Sequence, residues 1–170
     1  MSFKWIGAAL IVIGCGLAGF SMSAAYRREE KELRQLAASL EFMSCELQYR
    51  RSPLPELCYL IAAERGGCVG RLFLNLAKVL ESRQSPDVQS CLASAAATSG
   101  PLPRRIQEAV CLLGSTLGCF DLEGQLCGIE SVRSYCRSQI EEMSQGRDAR
   151  LRSYETLGLC AGAALAILLV

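Results

Sequence analysis

The side chains that could do chemistry in this chain are ten cysteines, a few paired acids and one pair of adjacent arginines, for it contains no histidine. Cysteine catalysis needs a base beside the thiol, and zinc or redox sites need cysteines two to four positions apart. The closest here, Cys111, Cys119 and Cys127, are eight apart. Cys45, Cys58, Cys91, Cys111 and Cys136 instead fall beside apolar helical positions, where a thiol packs as a small hydrophobe. The cluster Gly66, Gly67 and Gly70 precedes Arg71 rather than the Lys-Ser of a phosphate loop, so it reads as a helix terminus. The acid pairs Glu29 and Glu30, and Glu141 and Glu142, stand beside arginines on polar helix faces and read as solvated. The sequence predicts no catalytic, metal or cofactor residue, no small-molecule substrate, and hence no enzyme.

The most distinctive polar stretch is Glu46-Leu-Gln-Tyr-Arg-Arg-Ser-Pro-Leu-Pro-Glu56. Turn chemistry accounts for Ser52, Pro53 and Pro55, with Ser52 expected as an N-cap and Pro53 at the first helical position. It does not require Arg50 and Arg51. Two arginines at a rigid loop suit a charged partner surface, although exposed charge without a role is the alternative. Arg50, Arg51 and Glu56 are therefore the candidate partner-binding residues.

The elements that must position this loop start from Ile6–Ala25, 20 residues without a charge between Lys4 and Arg27. At about 1.5 Å per residue such a helix spans about 30 Å, the hydrocarbon thickness of a bilayer. Arg27, Arg28, Lys31 and Arg34 follow it against Lys4 before it, which puts the following chain in the cytoplasm. The uncharged Leu157–Val170, preceded by Arg147, Arg150 and Arg152, reads as a second and shorter membrane helix. Small residues recur every fourth position, including Gly19, Gly158 and Gly162, at a spacing that lets membrane helices pack closely.

Between these ends the apolar periodicity is helical throughout. Leu33, Leu36, Leu40, Met43 and Leu47 continue the first helix to about Tyr49. Further helices are expected over 54–65, ended by Gly66 and Gly67, and from Val69 to about Arg83. A fourth opens on Ser85, Pro86 and Asp87 and a fifth covers 102–117. The sixth is capped by Asp121 and runs into the closing apolar segment. On the second, Leu57, Leu60, Ile61 and Glu64 share one side. No stretch alternates with period two, and short links favour antiparallel neighbours. Six reversing helices return the chain to the side it left. The loops after Tyr49, Arg83 and Leu117 then lie far from the membrane, while those at Gly66–Val69 and Gly100–Arg104 lie near it. Arg27, Arg28, Arg104, Arg105, Arg147, Arg150 and Arg152 share that near end, either to meet anionic headgroups or simply to set topology.

The chain has 170 residues with a formal charge of +1, and between Arg27 and Glu155 its charges cancel. A nucleic-acid binder would need a net basic face. Expected domains are 1–26, an N-terminal transmembrane helix; 27–153, an all-α, six-helix antiparallel cytoplasmic bundle; and 154–170, a C-terminal transmembrane helix.

The segment Leu47–Glu56, followed by Ile61-Ala62, the spaced Leu113-Gly-Ser-Thr-Leu-Gly118 with Asp121 and Gln125, and an apolar C-terminal helix resemble the stage III sporulation protein AB family. The abundant cysteines are not part of that pattern. The resemblance implies a fold similar to the cytoplasmic F domain of type II secretion platform proteins. It further implies a membrane part of a secretion-like channel between mother cell and forespore, on the mother-cell side in the outer forespore membrane, beside a hexameric ATPase and other channel proteins. The expected role is a non-enzymatic platform linking that ATPase to the channel, with homo-oligomers compatible. The alternative is a membrane-tethered signalling or scaffold adaptor built on the same bundle.

Overall fold

The computed structural model of the protein describes residues 2–50, 52–82, 87–117 and 122–169. In its two long helices the described side chains are those of 21, 24–50, 122–145 and 160. The described elements are six helices: α1 (Ser2–Tyr49), α2 (Leu54–Glu64), α3 (Gly67–Ser82), α4 (Val88–Thr98), α5 (Arg104–Thr116) and α6 (Leu122–Leu169). Their order and number are those the apolar periodicity predicts. There is no strand among the described residues.

The chain divides into two compact units, one made of Met1–Glu30 and Glu142–Val170 and the other of Lys31–Glu141. In the first, the Tyr26 hydroxyl donates to the Met143 carbonyl at 3.1 Å, joining α1 to α6. Among the described residues no helix is long and apolar enough to cross a membrane. The uncharged stretches expected to do so are helical in backbone, but nearly all of their side chains, with those of Arg147, Arg150 and Arg152, lie outside the described residues.

In the Lys31–Glu141 unit, apolar residues three and four apart build a single core. Leu33, Leu36 and Leu40 of α1, Leu72, Phe73 and Leu76 of α3, Ile106 and Leu113 of α5, and Ile129 and Val132 of α6 are all buried. Helix α2 packs on α3, α3 on α4 and α4 on α5. Side-chain pairings fix direction: Arg105 of α5 bonds Gln139 of α6 at 2.8 Å, while Thr116, eleven residues on, touches the site of Gly128. Glu41 of α1 lies 3.5 Å from Arg133 of α6. A Cβ on Gly128 would collide with the Thr116 side chain, so α5 and α6 approach closely because that position has no side chain.

Helix ends differ from expectation in several places. Pro53, not Ser52, is the N-cap of α2, with Leu54 and Pro55 opening the helix; Pro103 holds the same place at α5, which begins at Arg104 rather than Leu102. Proline has no N–H to leave orphaned, so its fixed φ starts a helix without a side-chain cap. Asp87, expected inside the first turn of a helix capped by Ser85, is itself the N-cap of α4, two residues later, and its side chain makes no capping bond. Ser85, Pro86, Gly118 and Asp121 lie outside the described residues. Helix α2 ends on an extended Arg65, φ −110°, rather than on the glycines, and Gly67 opens α3 with φ +73°. Its buried side chains are Leu57, Cys58 and Ile61, with Leu60 and Glu64 exposed.

Candidate functional site

At the end of the Lys31–Glu141 unit that carries Tyr49, two of the three predicted partner-binding residues, Arg50 and Glu56, are described, and both are exposed. Arg50 is exposed, 74% by side chain, and its guanidinium lies 3.6 Å from Glu46 one turn back on α1. The other Glu46 carboxylate oxygen is buried with no hydrogen-bond partner among the described residues. Glu56 is exposed in the first turn of α2, where a carboxylate complements the helix dipole. Arg51 lies outside the described residues. Tyr49, 79% exposed, stands beside Arg50 and adds an aromatic surface that charge counting does not reveal.

The opposite end of this unit holds Arg104 and Arg105. Arg104 is exposed and bonds Glu108 at 3.0 Å along α5. Glu108 also accepts from the Tyr135 hydroxyl of α6 at 2.6 Å. That bond and the neighbouring arginine hold its carboxyl below the ordinary range, while burial and the same carboxylate push Tyr135 up to about 12. Arg105 is half-buried by its bond to Gln139. Of the remaining basic candidates, Arg27 and Arg28 are exposed on α1; those of α6 beyond 145, and the packing glycines Gly19, Gly158 and Gly162, have no described side-chain environment.

A carboxylate that periodicity alone leaves unassigned organises this end. Glu32 of α1 is buried and accepts from the backbone N–H of Cys68, 3.2 Å from each oxygen, and of Val69 at 3.4 Å, with the Cys68 thiol donating at 3.2 Å. It caps α3 from another helix, satisfying amides that a helix start leaves orphaned. Glu30 is buried as well, contrary to the solvated reading of the Glu29–Glu30 pair.

The thiols divide by face. Cys58, Cys91 and Cys136 are buried as expected, and so is Cys68; burial pushes Cys58 and Cys68 up to about 12 and Cys136 to about 11. Cys45 and Cys111, expected in the core, are exposed. Two residues past Met43, Cys45 is rotated about 200° from the buried stripe. Cys111 sits just off the Val110–Leu113 face and lines a shallow groove of about 170 Å³ between α4 and α5 with Leu92, Ala93 and Gly114. A second groove of about 310 Å³ runs between α1 and α6, lined by Arg34, Ala37, Glu41, Arg133, Arg137 and Ile140. Among the described residues no group of three or more cysteines, aspartates or glutamates could hold a metal ion.

Six helices with no strand among the described residues define an all-α helical-bundle protein. The chain belongs to the stage III sporulation protein AB family, whose sequence model matches residues 4–170. It is 25% identical over 169 residues to stage III sporulation protein AB of Bacillus subtilis strain 168, covering 98% of this chain and 99% of that one. A solved structure of a stage III sporulation protein AB superposes with a TM-score of 0.65 at 20% identity, over 72% of this chain and 98% of the other, and shows the same fold. The protein is thus a sporulation protein with a helical-bundle domain.

Proposed function

We propose that this protein is a non-enzymatic platform component of a secretion-like channel between mother cell and forespore, linking a cytoplasmic hexameric ATPase to membrane channel proteins. The observation that carries the proposal is the pairing of family membership with two 48-residue helices, α1 and α6, whose outer parts are the uncharged stretches of the sequence. In this reading Ile6–Ala25 and Leu157–Val170 cross the outer forespore membrane, Lys31–Glu141 lies in the mother-cell cytoplasm, and Gly19, Gly158 and Gly162 serve close helix packing. Arg50, Arg51 and Glu56, with exposed Tyr49 beside them, form the surface offered to the ATPase. The platform conducts no chemistry; it transmits force or position between motor and channel.

Affinity capture of the tagged protein from sporulating cells in mild detergent tests this. The expected result is recovery of the hexameric ATPase with the other channel proteins, and its loss in the Arg50→Glu, Arg51→Glu double variant. Recovery of sensor or kinase proteins without a motor overturns the platform reading in favour of a signalling adaptor.

A further inference from the structure

The Lys31–Glu141 unit is nearly neutral, yet its charges are sorted by end. Four observations define one end. Glu32 of α1 caps the start of α3 at Cys68. Arg71 in the first turns of α3 donates from Nε to the carbonyl of Ser99 at 3.3 Å, and Asn75 donates to the Ser99 hydroxyl at 3.0 Å. The end of α4 therefore lies against the first turns of α3. Gly67 and Gly100, φ +73° and +86°, make the α2–α3 and α4–α5 connections tight. Arg105, just past the second, reaches Gln139 of α6.

This end carries Lys31, Arg34, Arg65, Arg71, Arg104, Arg105 and Arg137, against exposed Glu64, Glu108 and Glu141 and the buried Glu32, which accepts from backbone amides. The other end reverses the balance, with Glu46, Glu56, Glu81, Asp87 and Glu123 against Arg50 and Lys78 among the described residues. Topology does not require the basic set. The bias that orients a membrane helix acts within about 20 residues of its ends, and Arg65, Arg71, Arg104 and Arg105 lie well beyond that from either apolar stretch. Folding, not sequence proximity, returns them to the end where the chain comes in at Lys31, six residues after Ala25.

We infer that Arg65, Arg71, Arg104 and Arg105, set beside the two glycine turns and in the first turns of the helices that follow them, form a docking surface for anionic phospholipid headgroups. The inference rests on the membrane-tethered reading given above and names its second contact. A guanidinium forks onto a phosphate with paired N–H donors, and each basic residue held near an anionic surface strengthens attachment about fivefold at low salt. The bundle is then held at the bilayer by its own turns as well as by its tethers, with its other end presented to the cytoplasm.

The test uses the full chain reconstituted into phosphatidylglycerol or phosphatidylcholine nanodiscs, read by amide hydrogen exchange. The expected result is slower exchange at 65–68 and 99–104 in phosphatidylglycerol, at least about threefold, with no change at 47–50; the difference is expected to vanish at high salt and in the Arg65→Glu, Arg104→Glu double variant. An Arg65→Gln, Arg104→Gln variant with unchanged melting temperature and the same loss separates headgroup binding from misfolding. A chain that reconstitutes but exchanges identically in both lipids overturns the headgroup surface and leaves the platform reading standing. A chain that fails to enter nanodiscs overturns both. Protection by free phosphate equal to that by phosphatidylglycerol overturns the lipid surface in favour of a soluble anion.

Discussion

The Glu32 carboxylate lies within hydrogen-bond distance of both the backbone nitrogen and the thiol of Cys68, 36 positions along the chain. It stands where a serine or aspartate would cap α3 locally, and the Gly67 backbone, at positive φ, leaves it room. A Cβ at residue 67 would collide with the Glu32 carboxylate. Replacing Glu32 by Ala orphans buried amides and is expected to cost about 2 kcal/mol of stability. Gly67→Ala adds backbone strain and the collision, about 2 kcal/mol. Because removing the carboxylate removes the collision, the double variant is expected to fall short of the sum by about 0.5–1 kcal/mol. Urea unfolding of the four proteins measures that coupling, and simple additivity would mean the two residues do not share one site.

The division of the cysteines predicts a labelling pattern. Native protein treated with maleimide at mildly alkaline pH is expected to react at Cys45, Cys111 and Cys127 and to spare Cys58, Cys68 and Cys136, whose thiols are both buried and held protonated. Peptide mapping by mass spectrometry reads the outcome. After denaturation all six label alike.

Glu108 predicts a pH dependence. Its folded carboxyl is held below its unfolded value, chiefly by the Tyr135 hydroxyl and then by Arg104, so the stability it adds is present at neutral pH and is lost as pH falls through the folded value. Tyr135, raised to about 12, contributes on the alkaline side, and that share is lost as pH rises from about 10 through 12. Melting curves of wild type and Glu108→Gln are expected to differ at neutral pH and to converge in acid, once Glu108 is protonated in both folded and unfolded states. A gap that persists in acid would assign the effect to packing instead.

The helices were legible because their signal is redundant. Leu33, Leu36, Leu40 and Met43 repeat one message several times over, and all four are buried. Single-residue features were legible only where local chemistry decides them. Proline set the starts of α2 and α5, but its place at the N-cap rather than inside the helix turns on backbone geometry that composition does not carry. The Glu32 cap was hidden because its partner lies on a different helix, and Glu32 falls among Glu29, Glu30 and Lys31 as one more charge on a polar turn. Likewise Cys45 and Cys111 lie within a residue or two of buried leucines and valines, and each residue step turns a helical side chain by about 100°, enough to carry it from core to surface. Arg65 and Arg71 offered no signal until the turns gathered them with Arg104.

Glu41 and Arg133, 3.5 Å apart in space, are 92 positions apart in the chain. The apolar stripe of α1 is made early in synthesis, and the α6 surface beside it leaves the ribosome only after α2 to α5 have emerged. At ordinary elongation rates of about 5–20 residues per second, that stripe waits several seconds or more without its final neighbour. Closure of the bundle is therefore a late event in the life of each molecule. A chain cut short before α6 leaves the Leu33–Leu40 face without its last wall, the condition under which helical domains aggregate or are degraded.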